Sequence, residues 1–394
     1  MITVNLLYWI SFLVPLLVMP IVLPLVVLMA HRKRLTDMPN SRKLQSQPVP
    51  VMGGTVIMLA VCTTCIVLNV IFSISGLFSA MCVMMMLYIF GMLDDNIGLS
   101  WQFKFVLQIL SVLLLFFGGD YGVHSMYGLF GLGDLPYMWS CLVSLFVGLL
   151  LLNAVNFSDG IDGLASGIGV LSGLVIGYWN VRHDELLPAM LSFCMVGAMA
   201  GFFMYNVFSS RFKMYMGDSG SLVLGFFIYT LTCTNVYVGD GANMLADRYM
   251  WSFFIAVLSY IIFDLIRVAS MRVLHGKSPF QPDRTHLHHM YVDLGNTHLM
   301  ATFIIIMNNI LVIGIWYLTA TMEIAVEWQS LLTIVSAMAV YWLPYAIVTW
   351  RRNNRPEAYA RMQSRIRRIS AWVVRFEEFM SSVVDLRLRR IRKA

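Results

Sequence analysis

Charged residues are scarce in this chain of 394 residues. Only 12% are Asp, Glu, Lys or Arg, whereas 59% are hydrophobic and the mean hydropathy is +0.75. This composition excludes a soluble globular domain and is typical of a polytopic membrane protein. No nucleic-acid partner is expected.

Three further features of the sequence narrow the class of protein to which the chain can belong. The six cysteines all fall within apolar stretches, so they are interpreted as packing residues and not as metal ligands. The first apolar run has no small-residue cleavage site, and we expect a retained helix. Neither a phosphate-binding Gly-x-x-x-x-Gly-Lys loop nor a set of kinase motifs is present, so ATP is not implied.

Long apolar runs fill most of the remaining sequence. Each is roughly 18 to 24 residues, enough to cross a hydrocarbon core of about 30 Å. They begin near residues 6, 53, 76, 101, 137, 164, 187, 221, 250, 298 and 330. The sequence therefore predicts an all-α polytopic integral membrane protein with about eleven transmembrane helices. We expect a membrane domain over residues 1–350 and a separate tail over residues 351–394.

The basic residues predict the orientation. With eleven spans and the N-terminus outside, 25 of the 27 Lys and Arg residues fall on one side of the membrane. The positive-inside rule makes that side cytoplasmic, together with the C-terminus. The tail has 13 basic and four acidic residues, a net charge of +9, and an apolar stripe from Ile366 to Val383. Membrane-surface binding and pairing with a second subunit are both open for it.

Five short polar clusters interrupt the apolar runs, and this orientation places all of them in the cytoplasm. A solvated turn does not require their carboxylates, amides, cations and histidines, so their chemistry suggests an active site. They are Asp37 to Lys43 with Gly53 and Gly54, Asp94 and Asp95 with Lys104, Asn153 to Gly163, Gly217 to Ser221, and Pro282 to His289.

The adjacent carboxylates of Asp94 and Asp95 end the third predicted span, where the helix dipole disfavours negative charge. A solvated helix end is the structural alternative, but such a pair requires a nearby cation. Lys104, early in the next span, supplies an ammonium group that could meet a phosphate at the interface.

The second acidic motif precedes a span. Gly217 and Gly220 allow close backbone approach, and a helix N-terminus offers N–H groups to an anion. Asp218 could hold a divalent cation, although a simple cap and turn would give the same residues. Asn153, Asn156, Asp159 and Asp162 are spaced by three and would share one face if the helix continues.

Oxygen ligands of this kind suit Mg²⁺. His286, His288 and His289 follow Arg284 on one loop, where they could donate hydrogen bonds to phosphate and sugar oxygens. A zinc site is the alternative, but the loop lacks cysteine and has no glutamate among the histidines. Near this loop, the spacing of Asp264 and Arg267 predicts an ion pair that supports the histidines.

Acidic residues, a membrane-edge lysine and an Arg/His loop are the components of phosphoryl transfer, with a lipid as one substrate. An anion transporter is a rival function, yet its site would lie near the midplane between repeats, and we find no repeat. A CDP-alcohol phosphotransferase is a second rival, whose Asp-Gly-x-x-Ala-Arg pattern is absent.

Together these motifs resemble those of a known enzyme family. The strings Asp37-Met-Pro-Asn-Ser-Arg-Lys43, Asp94-Asp95, Asn153 to Gly163, Met216 to Ser221 and Ser278 to His289 resemble those of the polyprenyl-phosphate N-acetylhexosamine-1-phosphate transferases, in the same order. The last string is more similar to the WecA-like branch than to MraY. Gln45 departs from the family, where WecA-type enzymes usually have His. The tail beyond about residue 351 lies outside the resemblance.

The resemblance implies a reaction at the cytoplasmic face of a bacterial inner membrane. The phosphate of undecaprenyl phosphate attacks the β-phosphorus of a UDP-N-acetylhexosamine, with UDP-GlcNAc favoured, and UMP leaves. Mg²⁺, for which Mn²⁺ could substitute, is the implied cofactor. The implied partners are the two substrates and membrane lipids, and a homo-oligomer is left open. Direct displacement and an aspartyl-phosphate intermediate also remain open.

The resemblance further implies a role for each residue. Asp218 and Asn156 would bind the metal, Asp162 would read the uracil edge, and Tyr215 would stack on the uracil ring. Arg284 and the three histidines would bind the pyrophosphate and sugar. The expected catalytic residues are Asp94, Asp95, Lys104 and Asp159.

Overall fold

A computed structural model of the chain describes residues 2–33, 36–37, 48–72, 77–237, 249–278 and 284–391. Part of the first polar cluster, from Met38 to Lys43, lies outside the described residues. Gln45 and the segment from Pro279 to Asp283 also lie outside them.

Helices form nearly all of the described chain. They are α1 (Ile2–Lys33), α2 (Gly53–Phe72), α3 (Leu77–Ile97), α4 (Trp101–Gly119), α5 (Tyr137–Ser158), α6 (Leu164–Arg182), α7 (Leu186–Phe208), α8 (Gly217–Tyr237), α9 (Met250–Val257), α10 (Ser259–Leu274), α11 (Leu287–Asp293), α12 (His298–Ala320), α13 (Val326–Asn354) and α14 (Pro356–Ile391). A short 3₁₀ turn covers Leu129–Gly131. The only described strands are β1 (Thr36–Asp37) and β2 (Val49–Pro50), which pair antiparallel.

The helices confirm an all-α polytopic membrane protein. Among the described residues, eight helices are long and apolar enough to cross a membrane, or nine if the bent pair α9 and α10 is one span. Helices α3 and α8 occupy the two remaining stretches where the sequence predicts spans. The total of eleven spans and the orientation stay predictions.

Two compact units divide the chain. The first comprises Met1–Tyr121, Ala165–Leu231 and Phe376–Ala394, and the second comprises Gly122–Leu164 and Thr232–Arg375. Within the first unit, α1 packs against α2 and α7, and α3 packs against α4. Within the second unit, α9 packs against α12 and α13, while α10 packs against α5 and α13.

The bent pair α9 and α10 has a specific side-chain partner in the second unit. The two helices meet at 76°, and a bend at this depth frees backbone groups that lipid cannot satisfy. Buried Asn309 of α12 donates from Nδ2 to the carbonyl of Val257 at 2.9 Å and accepts from the amide of Tyr260 at 3.1 Å. The hydroxyl of Ser259 donates to the same Oδ1 at 3.0 Å. This bend sets the direction of α10, which carries Asp264 and Arg267.

Candidate active site

The first unit brings together four of the residues that the sequence singles out. Asp94 and Asp95 lie in the last turn of α3, Lys104 lies in the first turn of α4, and Asp218 lies at the start of α8. These four residues are called the carboxylate–lysine cluster below. Three helix ends therefore supply the cluster, as the sequence predicts for neighbouring loops at one membrane face.

Asp95 is the anion at the N-terminus of α8. Its Oδ1 accepts from the amide of Asp218 at 2.7 Å, and its Oδ2 accepts from the amide and hydroxyl of Ser219 at 3.1 and 2.8 Å. The sequence analysis expected these helix-terminal N–H groups to be available to a bound anion. That expectation is corrected, because the protein's own carboxylate takes the amides of Asp218 and Ser219.

Glycines allow this close approach of α3 and α8. Gly91 lies directly against the backbone of Ser219, so that a Cβ at Gly91 would overlap it. Gly217 has φ of +72°, a left-handed conformation that favours glycine, and a Cβ there would come within 2.7 Å of the Asp95 carboxylate. Close packing of the main chains of α3 and α8 therefore fixes the position of Asp218 at the start of α8.

Gly53 and Gly54, which accompany the first polar cluster, also contact the segment before Asp218. The amides of Gly53 and Gly54, at the start of α2, donate to the carbonyls of Tyr215 and Met216 at 2.9 and 3.0 Å. The amide of Tyr215 donates in turn to the carbonyl of Pro50 at 2.9 Å. Three main-chain hydrogen bonds thus hold the segment that leads into Asp218 against residues 50–54.

Lys104 contacts the two remaining carboxylates of the cluster. Its ammonium forms an ion pair with Asp94 and a second one with Asp218 at 3.1 Å. The Asp94 side chain is buried, and its Oδ1 also accepts from the amide of Leu99 at 2.7 Å. The side chains of Lys104 and Asp218 remain 40% and 33% exposed, so both are accessible to a ligand.

The charge of this cluster fits a divalent cation. The cluster contains three carboxylates and one ammonium group, which leaves it net negative, and carboxylate oxygens are the hard donors that Mg²⁺ prefers. Of the two carboxylates that contact Lys104, that of Asp218 is the more exposed. Asp218 is therefore the residue best placed to bind such an ion together with a ligand.

A tail residue holds the loop between α7 and α8, which leads to Asp218. Asp385 of α14 accepts from the hydroxyls of Ser209 and Ser210, both at 2.7 Å. The amides of Ser210 and Arg211 also lie 3.3 Å from its Oδ2. The tail lies outside the family resemblance, and no role is predicted for Asp385. Only its partners in space distinguish it from the other acidic residues of the tail.

The second unit contains a separate group around the predicted histidine loop, called the histidine cluster below and comprising Asp264, Arg267, His286, His288 and His289. Asp264 Oδ1 accepts from Arg267 at 2.6 Å, which confirms the predicted ion pair. Asp264 Oδ2 accepts from His286 Nδ1–H at 2.8 Å, and this bond directs Nε2 of the ring away from Asp264. The pair therefore supports the histidine loop as predicted.

Burial keeps two of the histidines neutral. Desolvation lowers the pKa of His288 well below its usual value, and its Nδ1 lies 3.1 Å from the hydroxyl of Tyr260. Desolvation, and then the positive charge of Arg284, lowers the pKa of His289 to about 4. His288 Nε2 faces Gly160, where a Cβ would overlap it. Both rings are thus uncharged hydrogen-bonding groups near neutral pH.

The zinc alternative fits this cluster poorly. Asp264, His286 and His288 do bring one potential ligand atom each within 4.8 Å of one another. However, the Asp264 oxygens already accept from His286, Arg267 and the amide of Leu287. A metal would have to break a buried ion pair to bind here.

Helix α5 ends earlier than a continuous face of amides and acids would require. It stops at Ser158, so Asn153 and Asn156 lie in its last two turns, Asp159 is its C-cap, and Asp162 lies in the following loop. Asp162 pairs with His298, the first residue of α12, at 2.9 Å. His298 is not among the predicted site residues. Its position just after the cap residue Thr297 is the one feature of the sequence that could have drawn attention to it.

The remaining predicted site residues are placed as follows. Arg284 is exposed and pairs with Asp293 at 3.2 Å, a surface pair that costs little to break. Tyr215 is half-buried in the first unit, and Asn156 is half-buried in the second. The predicted partnerships of Asn156 with Asp218 and of Tyr215 with Asp162 stay predictions.

The chain is similar in sequence to known proteins. A family model described as glycosyl transferase family 4 matches residues 77–236, the segment from α3 to α8. An undecaprenyl-phosphate alpha-N-acetylglucosaminyl 1-phosphate transferase of Escherichia coli K12 is 27% identical over 320 residues, covering 79% of this chain and 84% of that protein.

Two further relatives come from distant bacteria. A probable undecaprenyl-phosphate N-acetylglucosaminyl 1-phosphate transferase of Bacillus subtilis is 27% identical over 363 residues, covering 91% of this chain and 96% of its own length. A decaprenyl-phosphate N-acetylglucosaminephosphotransferase of Mycolicibacterium smegmatis is 28% identical over 291 residues, covering 68% and 71%. With the ordered motifs, these matches show that the chain is similar to the polyprenyl-phosphate N-acetylhexosamine-1-phosphate transferases.

Proposed function

We propose that the protein transfers N-acetylhexosamine-1-phosphate, with GlcNAc-1-phosphate favoured, from a UDP-sugar to undecaprenyl phosphate. A phosphate oxygen of the lipid attacks the β-phosphorus of the donor, the bond from that phosphorus to the bridging oxygen breaks, and UMP leaves. The product is a lipid-linked sugar pyrophosphate that begins a cell-surface glycan. The reaction takes place at the cytoplasmic face of the bacterial inner membrane.

One observation carries the proposal: the partly exposed ammonium of Lys104, in the first turn of the candidate span α4, contacts the carboxylates of Asp94 and Asp218. An ammonium at the membrane edge suits a lipid phosphate, whose hydrocarbon chain remains in the bilayer. The anionic phosphate would compete with the carboxylates for Lys104. The relatives support a polyprenyl-phosphate substrate, since their names include undecaprenyl or decaprenyl phosphate.

A magnesium ion would be held by Asp218 together with Asn156, and by the donor's own phosphate oxygens. It would neutralise the charge that builds up on the transferred phosphoryl group. Asp94 would orient the lipid phosphate through Lys104, and Asp159 belongs to the same predicted set of catalytic residues. Asp95 supports this arrangement by holding the start of α8.

The nucleotide sugar would be bound by the remaining predicted residues. Arg284 exchanges its exposed partner Asp293 for the donor's pyrophosphate. The neutral, partly exposed ring of His289 suits hydrogen bonding to sugar and phosphate oxygens, and the buried ring of His288 packs beside it and would support it. Asp162 and Tyr215 would recognise the uracil.

Purified protein tests this proposal when it is supplied with undecaprenyl phosphate and a panel of UDP-sugars. UMP and lipid-linked sugar pyrophosphate should form in equal amounts, only with both substrates present, and fastest with UDP-GlcNAc. EDTA should stop the reaction, and Mg²⁺ or Mn²⁺ should restore it. UMP release without the lipid would indicate a hydrolase, and uptake of UDP-sugar into proteoliposomes without UMP release would indicate a transporter.

A further inference from the structure

The basic tail forms a helix whose protein-facing side is polar. In the first half of α14, Gln363 donates to the carbonyl of Asp293 at 2.8 Å, and buried Ser370 donates to the carbonyl of Gly295 at 2.9 Å. The stem of Arg367 packs directly over Gly295. In the second half, Asp385 holds the loop that begins at Ser209. Helix α14 is therefore attached mainly through hydrogen bonds and an arginine stem.

The outward side of α14 is apolar, the reverse of a helix that lies in water. Ile369, Trp372, Phe376 and Phe379 are 55%, 72%, 49% and 62% exposed. They recur at spacings of three and four, so they form one stripe along the helix. The indole of Trp372 and the ring of Phe379 are left largely uncovered, whereas the ring of Phe376 is half exposed and packs edge-on against Phe208, with their centroids 6.0 Å apart.

Exposed arginines accompany the apolar side of α14. Arg365, Arg368 and Arg375 are exposed and stand four residues before Ile369, Trp372 and Phe379, which places each arginine on the apolar side. The guanidinium of Arg375 lies 5.3 Å from the indole of Trp372. At 3.6 residues per turn, the acids from position 377 onward fall away from this stripe. The outward side is thus apolar and positively charged between residues 365 and 379.

The start of α14 lies at the end of a membrane helix. Candidate span α13 ends at Asn354, with the exposed indole of Trp350 in its last turns, and α14 begins at Pro356. The guanidinium of Arg355, between the two helices, lies 5.3 Å from that indole. Tryptophan and arginine at the end of a span are typical of the headgroup region. Helix α14 therefore begins where the polar surface of the bilayer begins.

We propose that the stripe of Ile369, Trp372, Phe376 and Phe379 lies in the headgroup region of the same bilayer, and that the adjacent arginines bind anionic phospholipids. An apolar face rimmed by arginines matches such a surface in both polarity and charge. Arginine stems can cover apolar surface while their guanidinium groups reach lipid phosphates. The tail thereby fastens to the membrane through one side and to the protein through the other.

Spin labels on the full-length protein test the proposal. Single cysteines are introduced as Trp372→Cys and Phe379→Cys in a chain whose six native cysteines are replaced, with the exposed neighbours Ala371→Cys and Glu378→Cys as matched controls. The protein is reconstituted in vesicles of phosphatidylcholine with phosphatidylglycerol. Labels at 372 and 379 should collide several-fold more with dissolved oxygen than with an aqueous nickel chelate, and labels at 371 and 378 should show the reverse.

Substitution of the arginines tests whether binding of α14 depends on anionic lipid. Each Arg→Gln substitution at positions 365, 368 and 375 should weaken attachment of the helix roughly fivefold in anionic vesicles. The same substitutions should have little effect in pure phosphatidylcholine.

Chelate collisions at 372 equal to those at 371 would place the stripe in water and overturn the proposal. Protection from both reagents, with dipolar broadening between labels, would instead show a second copy of the chain on the stripe. Neither readout depends on turnover, so the result is independent of the proposed reaction.

Discussion

The carboxylate–lysine cluster and the histidine cluster handle charge in opposite ways. In the first, Lys104 and Asp218 are partly exposed, and three carboxylates outnumber one cation. In the second, Asp264 and Arg267 are both buried and compensate each other, and the rings of His288 and His289 are neutral. An exposed, unbalanced cluster is suited to bind a charged ligand, whereas a buried, balanced one is suited to hold groups in position. Substitutions of Lys104 or Asp218 should mainly change catalysis, and those of Asp264 or Arg267 should mainly change stability.

The largest effect is expected for Asp218→Asn. Loss of an anionic metal ligand should lower Mg²⁺-dependent UMP release by at least about a hundredfold, which corresponds to several kcal/mol of transition-state stabilisation. The thermal unfolding midpoint should change little, because Asp218 is partly exposed. Exposed Asp134→Asn is the matched control. Retention of most activity in Asp218→Asn would contradict the metal assignment.

Asp264→Asn tests the buried side of the comparison. The substitution leaves the Arg267 guanidinium buried without its counter-ion, which should destabilise the protein by about 3 kcal/mol. Thermal unfolding in detergent measures the loss. Replacing both residues, as Asp264→Asn with Arg267→Met, should recover part of the stability, since no uncompensated charge then remains. An unchanged unfolding midpoint in the single variant would remove the distinction between the clusters.

Lys104→Ala should separate the two substrates. Removing the ammonium should raise the KM for undecaprenyl phosphate about thirtyfold, the size expected for losing one hydrogen bond to a charged group, while the KM for the UDP-sugar changes little. Lys104→Arg should restore the charge but not the compact geometry. If only the KM for the UDP-sugar rises, the two substrates have been assigned to the wrong groups.

Asp385→Asn should have a smaller effect. An amide nitrogen would replace one of the oxygens that accept from Ser209 and Ser210, at a cost of about 1 kcal/mol. We expect a lower unfolding midpoint and a modest loss of UMP release, because the loop leads to Asp218. Glu378→Gln, on the exposed part of the same helix, is the control and should leave both unchanged. Equal behaviour of the two variants would mean that the tail does not position the loop.

The smallest effect concerns His289. Its pKa of about 4 in the folded protein lies below the unfolded value of about 6.5, so the unfolded chain binds more protons in that interval. The stability is therefore fully present above pH 6.5 and is lost as the pH falls towards 4. His289→Gln should flatten the decline in unfolding midpoint between pH 7 and pH 5, and His275→Gln should not. Identical slopes for wild type and His289→Gln would indicate that folding does not lower the pKa of His289.

The sequence predicts charge pairs that are close along a helix better than it predicts the ends of helices. Asp264 and Arg267 are three residues apart, and spacing alone identifies their ion pair. Asn153 to Asp162 have the same regular spacing, yet α5 stops at Ser158, and His298 and Thr302 of α12 bind Asp162 in the loop that follows. Periodicity describes a helix where it exists and does not show where it stops.

Contacts between distant parts of the chain account for the other differences. Asp95 is separated by more than a hundred residues from the amides that it caps, and Asp162 is equally remote from His298. The motifs identify both acids as functional, but no local pattern shows that each is already bonded within the protein. The same holds for Asp385, which is one of four acids in a basic tail.

The bend between α9 and α10 has a consequence for biosynthesis. Asn309 is synthesised 52 residues after Val257, whose carbonyl accepts its amide hydrogen bond. Until α12 enters the membrane, the backbone at the bend lacks this partner, and an unsatisfied group costs several kcal/mol in hydrocarbon. The final geometry of α10, and with it the position of Asp264 and Arg267, therefore depends on a helix that leaves the ribosome later. Insertion of α12 is the step that completes the second unit.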